Sequence, residues 1–388
     1  MATVAQTTFS DALDRVVDFL GSNASPDGIR AAKRAVLDAY RQLSSERHWH
    51  YFYTRGRITT AAPQSTGTIT YVHTGGTYER QLTLTSATWP TWARYGVVVI
   101  SNTPYEVAER KSSTVLTLSV NSNPGADVAA GTTYSISRDT YPLPTDFQSL
   151  DALTAIGSSS VYPEYVHPRN WLTQQRIQTS PGTPRLYTIM GEPNYMGALA
   201  LRFFPGPDAA LTFDFVYSRR ARPILINEYK TGTVTTTASS ATVTGSGTTF
   251  SSNHIGSILR VYDATNYPTG LAGAYPALAE KVITDVASAT SLTVDSNFDT
   301  AYSAVKYLIT DPIDVEEGAM LDAFHRCCEL HASFNKKQKD RADVAAVYQQ
   351  ALRLAFEADS RVVSPRAPGM AVHGRLPLKY HLQGEDIS

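Results

Sequence analysis

The chain has 388 residues, with 34 Lys plus Arg against 35 Asp plus Glu and a formal net charge of −1. Hydrophobic residues make up 42 % and charged residues only 18 %, below the ~25 % usual in soluble domains, which excludes a disordered polyelectrolyte. The near-zero charge argues against non-specific duplex binding, which needs a basic surface. The length accommodates roughly two to four domains. No apolar run approaches the ~18 residues that span a bilayer, and MATVAQTTFSDALDR lacks the basic and apolar regions of a signal peptide. Cys327 and Cys328 are adjacent and cannot staple distant segments, so synthesis in a cytosol is expected.

The first predicted element is a helix from Phe9. Leu13, Val16, Val17 and Leu20 repeat on one helical face, Thr8 and Asp11 have capping-box spacing, and Gly21 supplies a stop. A second helix opens at Ser25-Pro26 and carries Ile29, Ala32, Val36, Tyr40 and Leu43 as its buried stripe. It should run to about Trp49, where HWHYFYTRG turns β-like.

Two later segments repeat one another. Residues 60–138 contain GTITY, RYGVVVI, VAERKSSTVLTLSVNSN and TTYSISRD; residues 231–310 contain GTVTT, HIGSILRV, VITDVASATSLTVDSNF and VKYLITD. Gly67 aligns with Gly232, Gly96 with Gly256, Leu116-Thr117-Leu118 with Leu292-Thr293-Val294, and Tyr134 with Tyr307. Short Thr/Ser/Val-rich strands between turn signals indicate a small barrel or sandwich, and two copies are too few for a solenoid. Between the copies lie YPLPTDF, the strand PRLYTIMG, and two alternating runs. Leu199, Leu201 and Phe203, a turn at Gly206-Pro207-Asp208, then Leu211, Phe213, Phe215 and Tyr217 read as a hairpin with one buried face.

A second helical pair follows. Asp314, Glu316 and Glu317 place acid where a helix begins, and Met320, Phe324, Cys327, His331 and Phe334 mark one face. After NKKQKDR, Val344, Val347, Tyr348, Ala351 and Ala355 mark another, so the four helices should bury their stripes together and bring the chain ends into contact. The stretch 362–388 has no helical period. Its basic residues Arg366, Arg375 and Lys379 and its alternating Leu376, Leu378, Tyr380 and Leu382 read as an arm that lies on a partner, adding a strand to it, with a tail tucked onto its own subunit as the alternative.

The pattern predicts an α+β fold: a helical bundle plus β-hairpin core of residues 1–59, 139–230 and 311–361. Two related β-modules, 60–138 and 231–310, are inserted as projecting knobs, and 362–388 form an extended C-terminal arm.

No phosphate-binding loop, dinucleotide fingerprint or G-x-S-x-G elbow is present. Gly245 and Gly247 lie between strands with no following helix, which favours a β-turn over a phosphate cradle. His48 and His50 fit a helix end better than a metal site. His325, Cys327, Cys328 and His331 could share a helical flank, but zinc usually draws ligands from a second segment, and the apolar stripe makes these cysteines core residues. Asp146, Asp151, Asp208 and Asp214 suit turns and caps better than paired glycosidase carboxylates. No catalytic residue, cofactor or metal is assigned.

AAKRAVLDAYRQLSSERHWHYF, YPLPTDF, PRLYTIMG and LALRFFPGPDAALTFDFVYSRR together resemble the head-to-tail adaptor (connector or neck) proteins of tailed bacteriophages, and the repeated segments look like β-modules common in phage neck and tail proteins. The resemblance implies a non-enzymatic virion protein made in the bacterial host cytoplasm. It would form a ring, usually dodecameric, that joins the capsid portal to the tail and continues the DNA channel. It also implies an arm that grips the portal, with Arg375, Leu376, Leu378, Lys379, Tyr380 and Leu382 as portal contacts. The β-modules would face neighbouring subunits, a downstream tail or nozzle protein, or tail fibres; double-stranded DNA would pass without sequence-specific binding, and no membrane is involved. The competing readings are a tail-associated glycan-binding or glycan-cleaving protein, and a tail-tube or tail-completion ring.

Overall fold

The first helix is set by its cap. Thr8 has extended backbone (φ −103°, ψ 169°), its hydroxyl accepts from the Asp11 amide, and the Asp11 carboxylate accepts in return from the Thr8 amide at 2.9 Å. This capping box opens α1 (Phe9–Phe19). Ser25 caps α2 (Pro26–Ser45) by accepting from the Gly28 amide, with Pro26 pre-set for the first turn. The other helices are α3 (Pro168–Gln175), α4 (Ala319–Asn335) and α5 (Arg341–Arg361). The structure, a computed structural model, describes residues 7–21, 25–156, 162–175, 181–192, 197–263, 265, 267, 277–335 and 341–362. The chain divides into two compact units, one of residues 1–52 with 221–388 and one of residues 53–220.

In the first unit α1, α2, α4 and α5 share a core. Phe9, Leu13 and Val16, then Ala32, Val36 and Leu43, then Phe324 and Cys327, and finally Tyr348 and Ala351 belong to one buried cluster, so the predicted stripes of the first two and last two helices share one core. Each large apolar side chain buried there contributes about 1.5–3 kcal/mol. Three details depart from the sequence pattern. Phe334 and Val347 are 50 % and 45 % exposed and stand outside the core. α2 stops at Ser45, because the Trp49 indole folds back and donates to the Leu43 carbonyl at 2.9 Å, and a 3₁₀ turn at His50–Phe52 follows. Asp314 lies ahead of α4, which begins at Ala319 after Gly318 (φ +104°), and its carboxylate accepts from the Tyr51 hydroxyl and the Arg222 amide, each at 2.9 Å.

The same unit contains a closed six-stranded barrel, in the order Thr233–Thr236, Thr242–Ser246, Ser291–Val294, Ala279–Ser288, Ile258–Tyr262 and Tyr302–Thr310. In the second unit a seven-stranded sheet runs Val128–Thr132, Thr68–Val72, Gln81–Thr85, Val115–Leu118, Thr103–Arg110, Gly96–Ile100 and Tyr134–Arg138. The order is the same, except that the closing strand of the first copy is broken at Thr133 and its halves form the two edges of the sheet. The likeness extends to single bonds. Tyr134 donates its hydroxyl to the Thr66 carbonyl at 2.9 Å, and Tyr307 to the Thr231 carbonyl at 2.6 Å. The next residues, Gly67 and Gly232, have φ +88° and +89°, and a Cβ on either would collide with a carbonyl oxygen, of Thr85 or Ser246. Gly96 and Gly256 are not equivalent, however. Tyr134 lies opposite Ile100 and Tyr307 opposite Val261, which places Gly96 in register with Ser257; the alternation of buried residues decides the register, not glycine identity.

The second unit also holds two smaller sheets. One has Thr212–Arg219 between Tyr53–Thr59 and Phe147–Ile156; the other runs Glu164–Tyr165, Leu186–Gly191, Leu199–Phe204 and Thr140–Pro142. The predicted hairpin is therefore corrected. Leu199–Phe204 and Thr212–Arg219 are strands with buried apolar faces, but they sit in different sheets, and Phe203 meets Phe213 with ring centroids 4.7 Å apart. A hairpin would lay both apolar faces side by side and leave them to a third layer. Crossing between sheets at 205–211 lets each face cover the other.

Replacing Gly232 by Ala forces a Cβ onto the Ser246 carbonyl at positive φ and should cost more than about 2 kcal/mol. Gly75→Ala, also at positive φ (+88°) but in open space, should cost about 1 kcal/mol. Calorimetric unfolding of both variants checks the ranking.

Candidate functional site

Charge is concentrated at a few built positions. In the first unit the strand Tyr302–Thr310 delivers Asp311 into a place with 0 % exposure. Its carboxylate accepts from the Ser257 hydroxyl at 2.6 Å, the Leu225 and Ile226 amides at 2.6 and 2.7 Å, and Arg222 Nη2 at 3.1 Å. Its backbone carbonyl accepts from the Phe9 amide at 2.8 Å. One residue thus ties the start of α1, the barrel and the stretch 222–226. A carboxylate so buried is tolerated only when its oxygens are occupied. Arg222 packs over Gly256, where a Cβ would strike its guanidinium, and donates to the Ile255 carbonyl at 2.8 Å.

Beside this hub Arg260 projects from the barrel. It binds Asp11 through both terminal nitrogens, at 2.7 and 2.8 Å, and Glu280 through Nε at 2.8 Å. Burial pulls the Asp11 pKa up, but the Arg260 bonds and charge outweigh it and hold the carboxyl below its ordinary range. Arg260 is itself held more firmly protonated by the same pairs, against the burial that opposes its charge.

In the second unit a cavity of about 230 Å³ opens at one corner of the seven-stranded sheet, lined among others by Arg94, Tyr95, Gly96, Glu106, Thr140 and Arg202. Arg138 lies beside it, 4.2 Å from the Tyr141 ring centroid and 5.4 Å from that of Tyr95, with Nε bonded to the Thr140 carbonyl; Arg94 covers Tyr95 at 4.9 Å. Burial lowers the Arg138 pKa and pushes the Tyr141 phenol up to about 12. On the three-stranded sheet Asp214 is paired with Arg55 and Arg57, the latter through Nε at 2.7 Å.

The other singled-out residues fall as follows. Cys327 and Cys328 are buried in the helical core; burial raises the first thiol to about 12 and the second well above its ordinary value. His325 is pulled down to about 4 by burial and the Arg15 charge, and His331 bonds Gln42 at 2.8 Å. Among the described residues no three His, Cys, Asp or Glu side chains are grouped to hold a metal ion. His50 pairs with buried Asp359 at 3.1 Å while His48 is exposed. Asp146 accepts from the Tyr217 hydroxyl, Asp208 and Asp151 are exposed, and Gly245 and Gly247 lie at a strand end and turn. Arg375, Leu376, Leu378, Lys379, Tyr380 and Leu382 lie outside the described residues. Asp311, Arg222 and Arg260 were not singled out by sequence. For Arg260 and Asp311 the signal was a charge inside or just after an apolar strand, in ILRVY and KYLITD; Arg222 carried no such signal.

Residues 106–233 match the family described as SU10 adaptor protein, from the later strands of the first barrel-like sheet through the small sheets, except their strand Tyr53–Thr59, to the start of the second barrel. The match supports a protein of the phage adaptor type, a virion component with a structural role that meets other capsid or tail proteins. No curated protein and no solved structure gives a match. No helix among the described residues is long and apolar enough to cross a membrane.

Two outcomes follow. Because the folded Asp11 pKa lies below its ordinary 3.8, its ion pair stabilises fully above that value and is lost as pH falls through the lower folded one. Urea midpoints of wild type and Asp11→Asn should differ by a constant amount above about pH 5 and converge on acidification. Arg222→Ala leaves Asp311 buried without its cation and should destabilise the first unit by about 3 kcal/mol in the same assay.

Proposed function

We propose that the protein is a non-enzymatic head-to-tail adaptor whose copies form a dodecameric ring, joining the capsid portal to the tail and continuing the DNA channel. The observation that carries this reading is the adaptor-family match over residues 106–233. The near-neutral chain supports it, since a channel that lets duplex slide should not accumulate phosphate-neutralising charge. A cyclic ring needs two different complementary surfaces on each subunit. The segment 362–388 grips the portal through Arg375, Leu376, Leu378, Lys379, Tyr380 and Leu382, and the two β-modules meet neighbouring subunits and a downstream tail or nozzle protein.

Native mass spectrometry and negative-stain imaging of the full chain, with and without portal, test the proposal. A ring that forms on or docks to the portal is expected, and deleting residues 373–388 should leave a folded subunit that docks at least about tenfold more weakly. A monomer or trimer indifferent to portal would overturn the adaptor reading; full-strength docking of the truncated chain would overturn the arm alone.

A further inference from the structure

The last turns of α5 border a depression of about 380 Å³, lined by Arg353, Phe356, Glu357, Ser360 and Arg361. Its floor is aromatic and fixed. The half-buried Phe356 ring packs on Trp49 with centroids 5.2 Å apart, and the Arg47 guanidinium lies 5.3 Å from its centroid. Arg47 is held in turn by the Phe356 carbonyl at 3.3 Å and by buried Asp359 at 3.5 Å. The rim is cationic, with two arginines against one carboxylate. Glu357 pairs with Arg361 at 3.7 Å, and the Ser360 hydroxyl donates to the Phe356 carbonyl at 2.7 Å. Arg353 is exposed, and among the described residues no carboxylate pairs with it.

We infer that Glu385, Asp386 and Ile387 dock in this depression on their own subunit, with the carboxylates toward Arg353 and the Ile387 side chain over Phe356. Charge selects these residues. Beyond Val362 the chain carries Arg366, Arg375 and Lys379, which Arg353 repels, and its only carboxylate side chains are those of Glu385 and Asp386. Ile387 follows them directly and supplies an apolar group for the aromatic floor. Position selects the same subunit. α5 ends beside the depression, and a tether of about 20 residues between Val362 and Glu385 is long enough to return to its own helix. Such a tether holds its end at an effective concentration near the millimolar range, so a weak contact is sufficient. The inference does not depend on the adaptor reading, and no portal enters its test.

The test uses the full chain with Ser388→Cys carrying a nitroxide label. Cys327 and Cys328 are buried and their thiols are held protonated, so the label is directed to position 388. Paramagnetic broadening of the arginine Nε–H signals reports proximity. Arg353 and Arg361 should broaden strongly, whereas Arg30, at the far end of α2 from Arg47, should not. Glu385→Gln combined with Asp386→Asn should reduce the broadening about fivefold. Arg353→Gln should reduce it at Arg361 about threefold, and Arg353→Lys should restore it. The tail substitutions touch no contact of the described residues, so their effect cannot come from an unfolded α5. Mixing isotope-labelled protein without nitroxide and nitroxide protein without isotope separates contacts within a subunit from contacts between copies. No broadening at Arg353, broadening unchanged by the two tail substitutions, or broadening in the mixed sample would each overturn the assignment.

Discussion

The first unit depends on one buried carboxylate. Asp311 is wholly shielded from water, so every lone pair it presents must be met within the protein. Ser257 supplies a hydroxyl from the barrel, Arg222 a cation, and Leu225 and Ile226 two amides. These partners come from two stretches of chain, and its backbone carbonyl binds a third at Phe9. Satisfying one charge therefore orders the barrel, the stretch 222–226 and the beginning of α1 together. The Asp11–Arg260–Glu280 set works beside it. Asp11 closes the α1 cap and also receives a guanidinium from the barrel, so helix initiation and barrel docking are not independent events.

The duplicated barrel separates what the fold requires from what it leaves free. Both copies keep the tyrosine-to-carbonyl latch, the positive-φ glycine beside it, and the same strand order. These features satisfy buried polar groups and allow a close backbone approach, and their chemistry leaves little choice of residue. The corner at Gly96 and Ser257 is different. In one copy Arg222 from outside the barrel strands fills it, and in the other a cavity of about 230 Å³ lies against Gly96.

The two cysteines and His325 are held in their uncharged forms by burial, which makes them packing residues of α4. Ion pairs connect elements in both units, at Asp311 and Arg222, at Arg15, Glu329 and Arg326, at Arg47 and Asp359, and around Asp214.

Local order was written in the sequence wherever it rests on near neighbours. The Thr8–Asp11 capping box, the Ser25-Pro26 start of α2 and the alternating strands reflect contacts a few residues apart or a fixed period, while the paired glycines and tyrosines showed because the sequence repeats them. The helical stripes on 9–20, 29–43 and 320–355 foretold one shared core because apolar faces must find each other. Tertiary structure decided the rest. Alternation tells which face of a strand is buried but not which strand lies beside it, so Leu199–Phe204 and Thr212–Arg219 read as a hairpin while the fold places them in facing sheets. Asp314 had the spacing of a helix start, yet its carboxylate serves Tyr51 and Arg222, residues distant in sequence. Asp311 and Arg260 acquire their roles only when partners up to hundreds of residues away arrive, because a charge becomes structural through the groups that surround it, and sequence spacing carries no record of that neighbourhood.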